Sequence, residues 1–114
     1  MPKYMVLYRS SVPATEQMAG SNSEAAQAGM ELWMAWSNKV GAAMADMGSP
    51  LSGVGTVTSS GSNGETSRPF VSGFSIFEAD SVDAAKKLLD DHPHFHLPGD
   101  PSIEVLEFLP IPGM

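Results

Sequence analysis

Apolar and polar positions along the chain switch period several times, and the switches mark the elements. Residues 4–8, Tyr4-Met5-Val6-Leu7-Tyr8, form an apolar run of strand length, with Arg9 at its end. A polar connection follows over 10–23, containing Pro13 and Gly20, with one helical turn expected around 15–19. Ser21-Asn22-Ser23-Glu24 has capping-box spacing, in which serine and glutamate each satisfy an amide of a first helical turn. From there Met30, Trp33, Met34, Ser37, Val40, Gly41, Met44 and Met47 recur at helical spacing, which predicts a long helix to about Met47. Gly48 is placed to close it in the left-handed conformation, with Pro50 just beyond.

The second half repeats this order. Residues 51–60, rich in small and β-branched side chains, read as a strand despite Gly53 and Gly55. Gly61-Ser62-Asn63-Gly64 then supplies a turn of the Asn-Gly kind. Pro69 cannot donate to a ladder, so the next strand starts at or after Phe70 and runs to Phe77, apolar on both faces. Asp80 and Ser81 offer capping oxygens to a helix from Val82, with Val82, Ala85, Leu88 and Leu89 on one side, and Pro93 ends it. After Gly99-Asp100-Pro101 a last strand covers 103–108. The order strand, helix, strand, strand, helix, strand is the α+β, ferredoxin-like βαββαβ plan. It predicts strands 5–9, 56–60, 70–77 and 103–108 in one four-stranded antiparallel sheet with two helices on one face.

Those helices leave the second sheet face bare, although Met5 and Leu7 are as apolar as their neighbours Tyr4, Val6 and Tyr8. An uncovered apolar face does not persist in water, and pairing two copies across a two-fold axis covers it; a homodimer is expected. At 114 residues the chain is long enough for one core and one domain, 1–114. Thirteen acidic against six scattered basic residues, net −7, exclude a basic stripe, so no nucleic-acid partner is expected. There is no cysteine, hence no disulfide or thiolate chemistry. No apolar run is long enough to span a bilayer and the amino terminus lacks the pattern of a signal peptide, so the reading is a cytoplasmic protein with no membrane partner.

All three histidines sit together as His92-Pro93-His94-Phe95-His96. An extended backbone around Pro93 would put the three imidazoles on one side. Imidazole titrates near neutrality, which makes His94 first, and His92 with it, the candidate catalytic acid/base pair. The bland alternative has His92 near a helix end, where the dipole favours a cation, and the other two as ordinary loop residues. Three imidazoles are also enough for zinc, but the run brings no carboxylate or separated fourth ligand, so no metal and no cofactor is assigned. Arg9, Trp36 and His96 are the candidate substrate-binding residues: Arg9 at a strand end, Trp36 off the methionine stripe, His96 at the end of the run. Asp46 and Asp80 are the carboxylates placed to partner a histidine, Asp80 doubling as a cap. The methionine stripe itself is core or dimer filler, since methionine adapts to irregular gaps.

The phrases Lys3-Tyr4-Met5-Val6-Leu7, Met47-Gly48-Ser49-Pro50-Leu51, Gly73-Phe74-Ser75-Ile76 and Asp80-Ser81-Val82-Asp83-Ala84-Ala85, then His92-Pro93-His94 and Ile103-Glu104-Val105, together resemble the YCII-related family over nearly the whole chain. The resemblance implies a dimeric α+β barrel, a superfamily of small cofactor-free enzymes and ligand-sensing domains. In that family a histidine–aspartate pair is the suggested catalytic unit. Here the first helix has no histidine, and His92 stands where relatives often carry aspartate before proline, so the pair does not transfer. Two readings follow: a small enzyme acting on a small organic molecule by His-assisted acid/base chemistry, or a non-catalytic small-molecule-binding module.

Overall fold

The computed structural model of the chain describes residues 2–12, 23–63, 70–97 and 99–113. The elements are β1 (Lys3–Ser10), α1 (Ser23–Val40), β2 (Met44–Pro50), β3 (Thr56–Thr58), β4 (Gly61–Asn63), β5 (Phe70–Glu78), α2 (Val82–Lys87) and β6 (Ser102–Glu107). Four strands form an antiparallel sheet in the order β2-β5-β1-β6, which is the strand order of the ferredoxin-like plan. The other two strands, β3 and β4, form a separate two-stranded hairpin.

Alternation along β1 decides where the core lies. Tyr4, Val6, Tyr8 and Ser10 are fully buried, while Met5, Leu7 and Arg9 between them are half-buried. Val6 and Tyr8 pack with Phe77 of β5 against Trp36 and Val40 of α1 and Leu89 just past α2. Tyr4 packs with Ala79 and with Ala85 of α2. Both helices therefore cover one face of the sheet. The cross-strand pairs Met5–Ile76 and Leu7–Phe74, with Leu106 beside Met5, make up the other face. Ser81 caps α2 by accepting from the Ala84 amide at 3.1 Å, so of the two expected capping residues the serine makes the bond.

Two expected boundaries are corrected. The long helix stops at Val40, not Met47; the left-handed glycine that ends it is Gly41 (φ 61°), which opens a short 3₁₀ turn, Gly41–Ala43. Met44 and Met47 continue the helical spacing in sequence, but their backbone pairs with β5 instead, so tertiary pairing overrides the period. Gly48 does adopt positive φ (83°), as a bulge inside β2. A side chain there would be driven into the Phe74 carbonyl. Met30, Met34 and Met47 lie exposed on this chain, so the buried stripe of α1 is Trp36 and Val40 with Trp33 beside them.

The second correction concerns the sheet. Residues 56–60 do not enter it; its outer strand is Met44–Pro50, and Thr56–Thr58 pairs with Gly61–Asn63. The turn of that hairpin is Ser59-Ser60, with Asn63 paired to Thr56 rather than leading an Asn-Gly turn. The expected helical turn at 15–19, and Ser21 and Asn22 of the capping box, lie outside the described residues.

Candidate functional site

The histidine run does not extend. Residues Pro93–His96 form a single 3₁₀ turn with Pro93 in its first position, and the turn is sunk against the sheet: His92, Pro93 and His94 are buried while His96 is exposed. His92 caps this turn, its Nδ1 accepting from the His94 amide at 2.9 Å. It is thus the acceptor at a turn's start, not a cation at a helix end. A nitrogen that accepts carries no proton, so in the neutral ring the proton sits on Nε2.

Three aromatic rings enclose that imidazole. Trp36 lies 4.1 Å away between centroids, Trp33 4.7 Å and Tyr8 4.8 Å. The three-residue spacing of Trp33 and Trp36 brings both onto one side of α1. Alternation in β1 brings Tyr8 up from the sheet beneath. Burial in this shell pushes the His92 pKa down to about 3, with the neighbouring His94 adding to the shift. Its Nε2 is buried and has no hydrogen-bond partner. An orphaned donor at this depth calls for an explanation, because leaving it unpaired costs about 1–3 kcal/mol.

His94 is anchored differently. Its Nε2 lies 2.9 Å from the Arg9 carbonyl and 3.1 Å from that of Ser102, and both carbonyls only accept, so this nitrogen donates. Arg9 and Ser102 are register partners at the ends of β1 and β6, and the ring fastens those ends together. Burial lowers its pKa, opposed by the two carbonyl bonds. Tyr8, in ring contact with both imidazoles, starts a separate polar chain: its hydroxyl donates to Ser75 Oγ at 2.9 Å, and Ser75 donates to the Met47 carbonyl at 2.7 Å. Burial raises the Tyr8 pKa to about 12, the Ser75 bond working against it.

Two cavities flank the turn. One of about 220 Å³ lies between α1 and the 90–96 connection, lined by Trp36 and His96 with Lys39, Asp90, Asp91 and Pro93. The other, about 390 Å³, opens on the far side between Phe95, Leu89 and Ile103. Neither is lined by His92 or His94. Of the residues singled out in the sequence, Trp36 and His96 thus share a cavity, and His92 and His94 lie in the layer behind. Trp36 also donates from Nε1 to the Leu88 carbonyl at 2.9 Å, which fixes its ring. Arg9 stands apart, its guanidinium 2.9 Å from Glu104. Asp46 accepts from the Gly48 amide within β2, and Asp80 is exposed before α2; neither has a bond to a histidine. Among the described residues no three His, Asp or Glu side chains gather as a metal site would require.

Tyr8, Trp33 and Ser75 belong to this cluster and went unread in the sequence as site residues. The Trp33–Trp36 spacing and the place of Tyr8 in the Tyr4–Val6–Tyr8 set were the available signals. What no spacing reveals is that the histidine run turns inward onto them.

No family model matches the chain, and no curated protein matches it. Among solved structures, 5-chloro-2-hydroxyhydroquinone dehydrochlorinase from Burkholderia phenoliruptrix AC1100, in complex with 2,5-dihydroxybenzoquinone, aligns over 90% of both chains at 19% identity and a TM-score of 0.49. A likeness of that degree carries no conclusion about chemistry, and the fold assignment rests on the strand order above. No helix among the described residues is long and apolar enough to cross a membrane.

Proposed function

We propose that this protein binds a small organic molecule where α1 meets the 90–96 connection, with His92 as its buried polar anchor, and that it works as a homodimer of the YCII-related kind. The observation that carries the reading is the unpartnered Nε2 of His92 behind the aromatic floor of a cavity. A neutral imidazole with its proton on Nε2 is a donor. It asks for an acceptor such as a carbonyl or phenolic oxygen. At about 220 Å³ the cavity lies below the roughly 300–1,000 Å³ of drug-sized sites, which favours a single substituted ring. Asp90 and Asp91 at its rim disfavour a carboxylate ligand. Trp36 lines the cavity and packs on the imidazole at 4.1 Å between centroids, so engaging Nε2 from the cavity means displacing that ring and breaking its Nε1 bond to the Leu88 carbonyl. In a catalytic form of this reading, the neutral His92 polarises the bound oxygen as an electrophile, which a preorganised donor in a dry site does well.

A second reading makes His94 the general base of a small enzyme. One observation favours it: two carbonyls hold its Nε2–H, the arrangement that orients an imidazole and leaves Nδ1 as the basic atom. The lowered His94 pKa weakens that base at neutral pH.

Titration with substituted phenols and cyclic ketones, followed by tryptophan fluorescence, tests the first reading. Wild type should give a saturable change, weakened at least about tenfold in His92→Phe, since a tenfold loss is the ~1.4 kcal/mol of one good hydrogen bond. Equal binding by His92→Phe, in protein whose circular dichroism is unchanged, would remove His92 from the site.

A further inference from the structure

Asp90 and Asp91 line both cavities that flank the histidine turn, the smaller one beside α1 and the larger one beside β6. The local backbone explains how two successive carboxylates come to stand there. Helix α2 ends at Lys87, and a turn runs on to Asp91, which takes the left-handed conformation (φ 57°) just before the buried His92. Aspartate is among the few side chains that accept that conformation readily. Both residues stay exposed, and neither carboxylate makes a hydrogen bond or an ion pair among the described residues.

Each cavity also holds a lysine, Lys39 in the smaller and Lys86 in the larger. Both are exposed, and the long stem lets the ammonium remain in water instead of settling on a carboxylate. Two carboxylates against one lysine leave either cavity net negative with His96 neutral, in a chain that is itself −7. That field draws cations. On the far side of the aspartates Phe95 lines the larger cavity, and an aromatic face attracts a cation too. At the inner end of the smaller cavity the wall is Trp36, against which His92 holds its unpartnered Nε2 donor. The two ends thus ask for different groups, an oxygen inside and a positive charge at the rim.

Taking the binding site proposed above as given, we infer that its ligand is a small oxygen-bearing ring with a cationic amine on a short arm. His92 takes the oxygen, and the ammonium lies between Asp90 and Asp91 at the wall the two cavities share.

Calorimetric titration at low ionic strength would compare three probes on one ring: para-ethylphenol, tyramine and para-hydroxyphenylpropanoate. Tyramine should bind at least about fivefold more tightly than the neutral phenol, each carboxylate acting at the upper end for an exposed ion pair, and the anionic probe more weakly than either. Asp90→Asn/Asp91→Asn should erase that preference and leave the para-ethylphenol affinity unchanged. Both positions are exposed and asparagine also tolerates the left-handed backbone, so the fold should survive, as circular dichroism checks. Equal affinity for tyramine and para-ethylphenol in wild type would overturn the inference and leave the ring site standing. No saturable binding of any probe would overturn both. Glu31→Gln/Asp83→Asn removes the same charge at exposed positions that line neither cavity, and should keep the preference. Its loss there, or its survival in Asp90→Asn/Asp91→Asn, would mean attraction to the overall charge and would also overturn the inference.

Discussion

The Pro93–His96 turn and the β3–β4 hairpin are both short, irregular stretches between larger elements, and the chain treats them in opposite ways. The first carries polar imidazoles and is buried, its rings packed among Tyr8, Trp33 and Trp36. The second carries Val57, with Val54 just before it, and no charge, and is exposed over residues 56–62. Burying His92 and His94 is tolerable because each imidazole makes backbone hydrogen bonds, to the His94 amide and to the Arg9 and Ser102 carbonyls. Val54 and Val57 stay exposed among the described residues, at 91% and 81%. Polarity alone therefore does not sort this chain into inside and outside; the partner each group finds does. His92 Nε2 is the buried side-chain polar atom left without a partner among the described residues, and that is where binding is assigned.

Truncating the shell around the turn should have the largest effect. Trp36→Ala removes a buried indole that touches Phe77 and His92 and ties α1 to Leu88, and should cost about 3–5 kcal/mol in chemical denaturation. A smaller loss would mean the turn is packed less tightly than its ring distances indicate.

Acid comes next. His92 titrates at about 3 in the folded chain against 6.5 when unfolded, so between those values the unfolded state binds the extra proton. Stability is therefore full above about pH 6.5 and falls as pH drops toward 3, by on the order of 4 kcal/mol from this group. His94, also lowered, acts in the same direction. Denaturant midpoints measured across that range should fall steadily in wild type and more shallowly in His92→Phe.

His94→Ala should unfasten the ends of β1 and β6 at a cost of about 1–3 kcal/mol, read as faster amide exchange at Ser102 and Ile103. The hairpin marks the other extreme. Ser62→Ala, at an exposed position of β4, should shift the stability of the chain by no more than about 0.5 kcal/mol. A larger loss there would erase the contrast between the two regions.

Much of the fold was legible because alternation and capping are local. The β1 set Tyr4, Val6 and Tyr8, the start of β5 after Pro69 and the Ser81 cap needed no tertiary information. The errors fall where tertiary pairing decided. Residues 41–47 continue a helical spacing, yet β5 takes their backbone from Met44 onward. Residues 56–60 look like a sheet strand but close on β4 instead. The candidate site was legible as a cluster of histidines. Its geometry was not, because only the fold sets His92 among Tyr8, Trp33 and Trp36 and divides His94 from His96. Arg9 read as a ligand contact from its place at a strand end, where the cross-strand Glu104 that pairs with it cannot be seen.

The central claim is that His92 is a neutral imidazole with its proton on a buried, unpartnered Nε2. Long-range proton–nitrogen correlation of the histidine side chains tests it directly, with pH lowered from about 8 to about 4. The His92 ring should stay in the Nε2–H form throughout, with its Nδ1 resonance marking an acceptor. A His92 that protonates with a midpoint near 6.5, or that carries its proton on Nδ1, would contradict it.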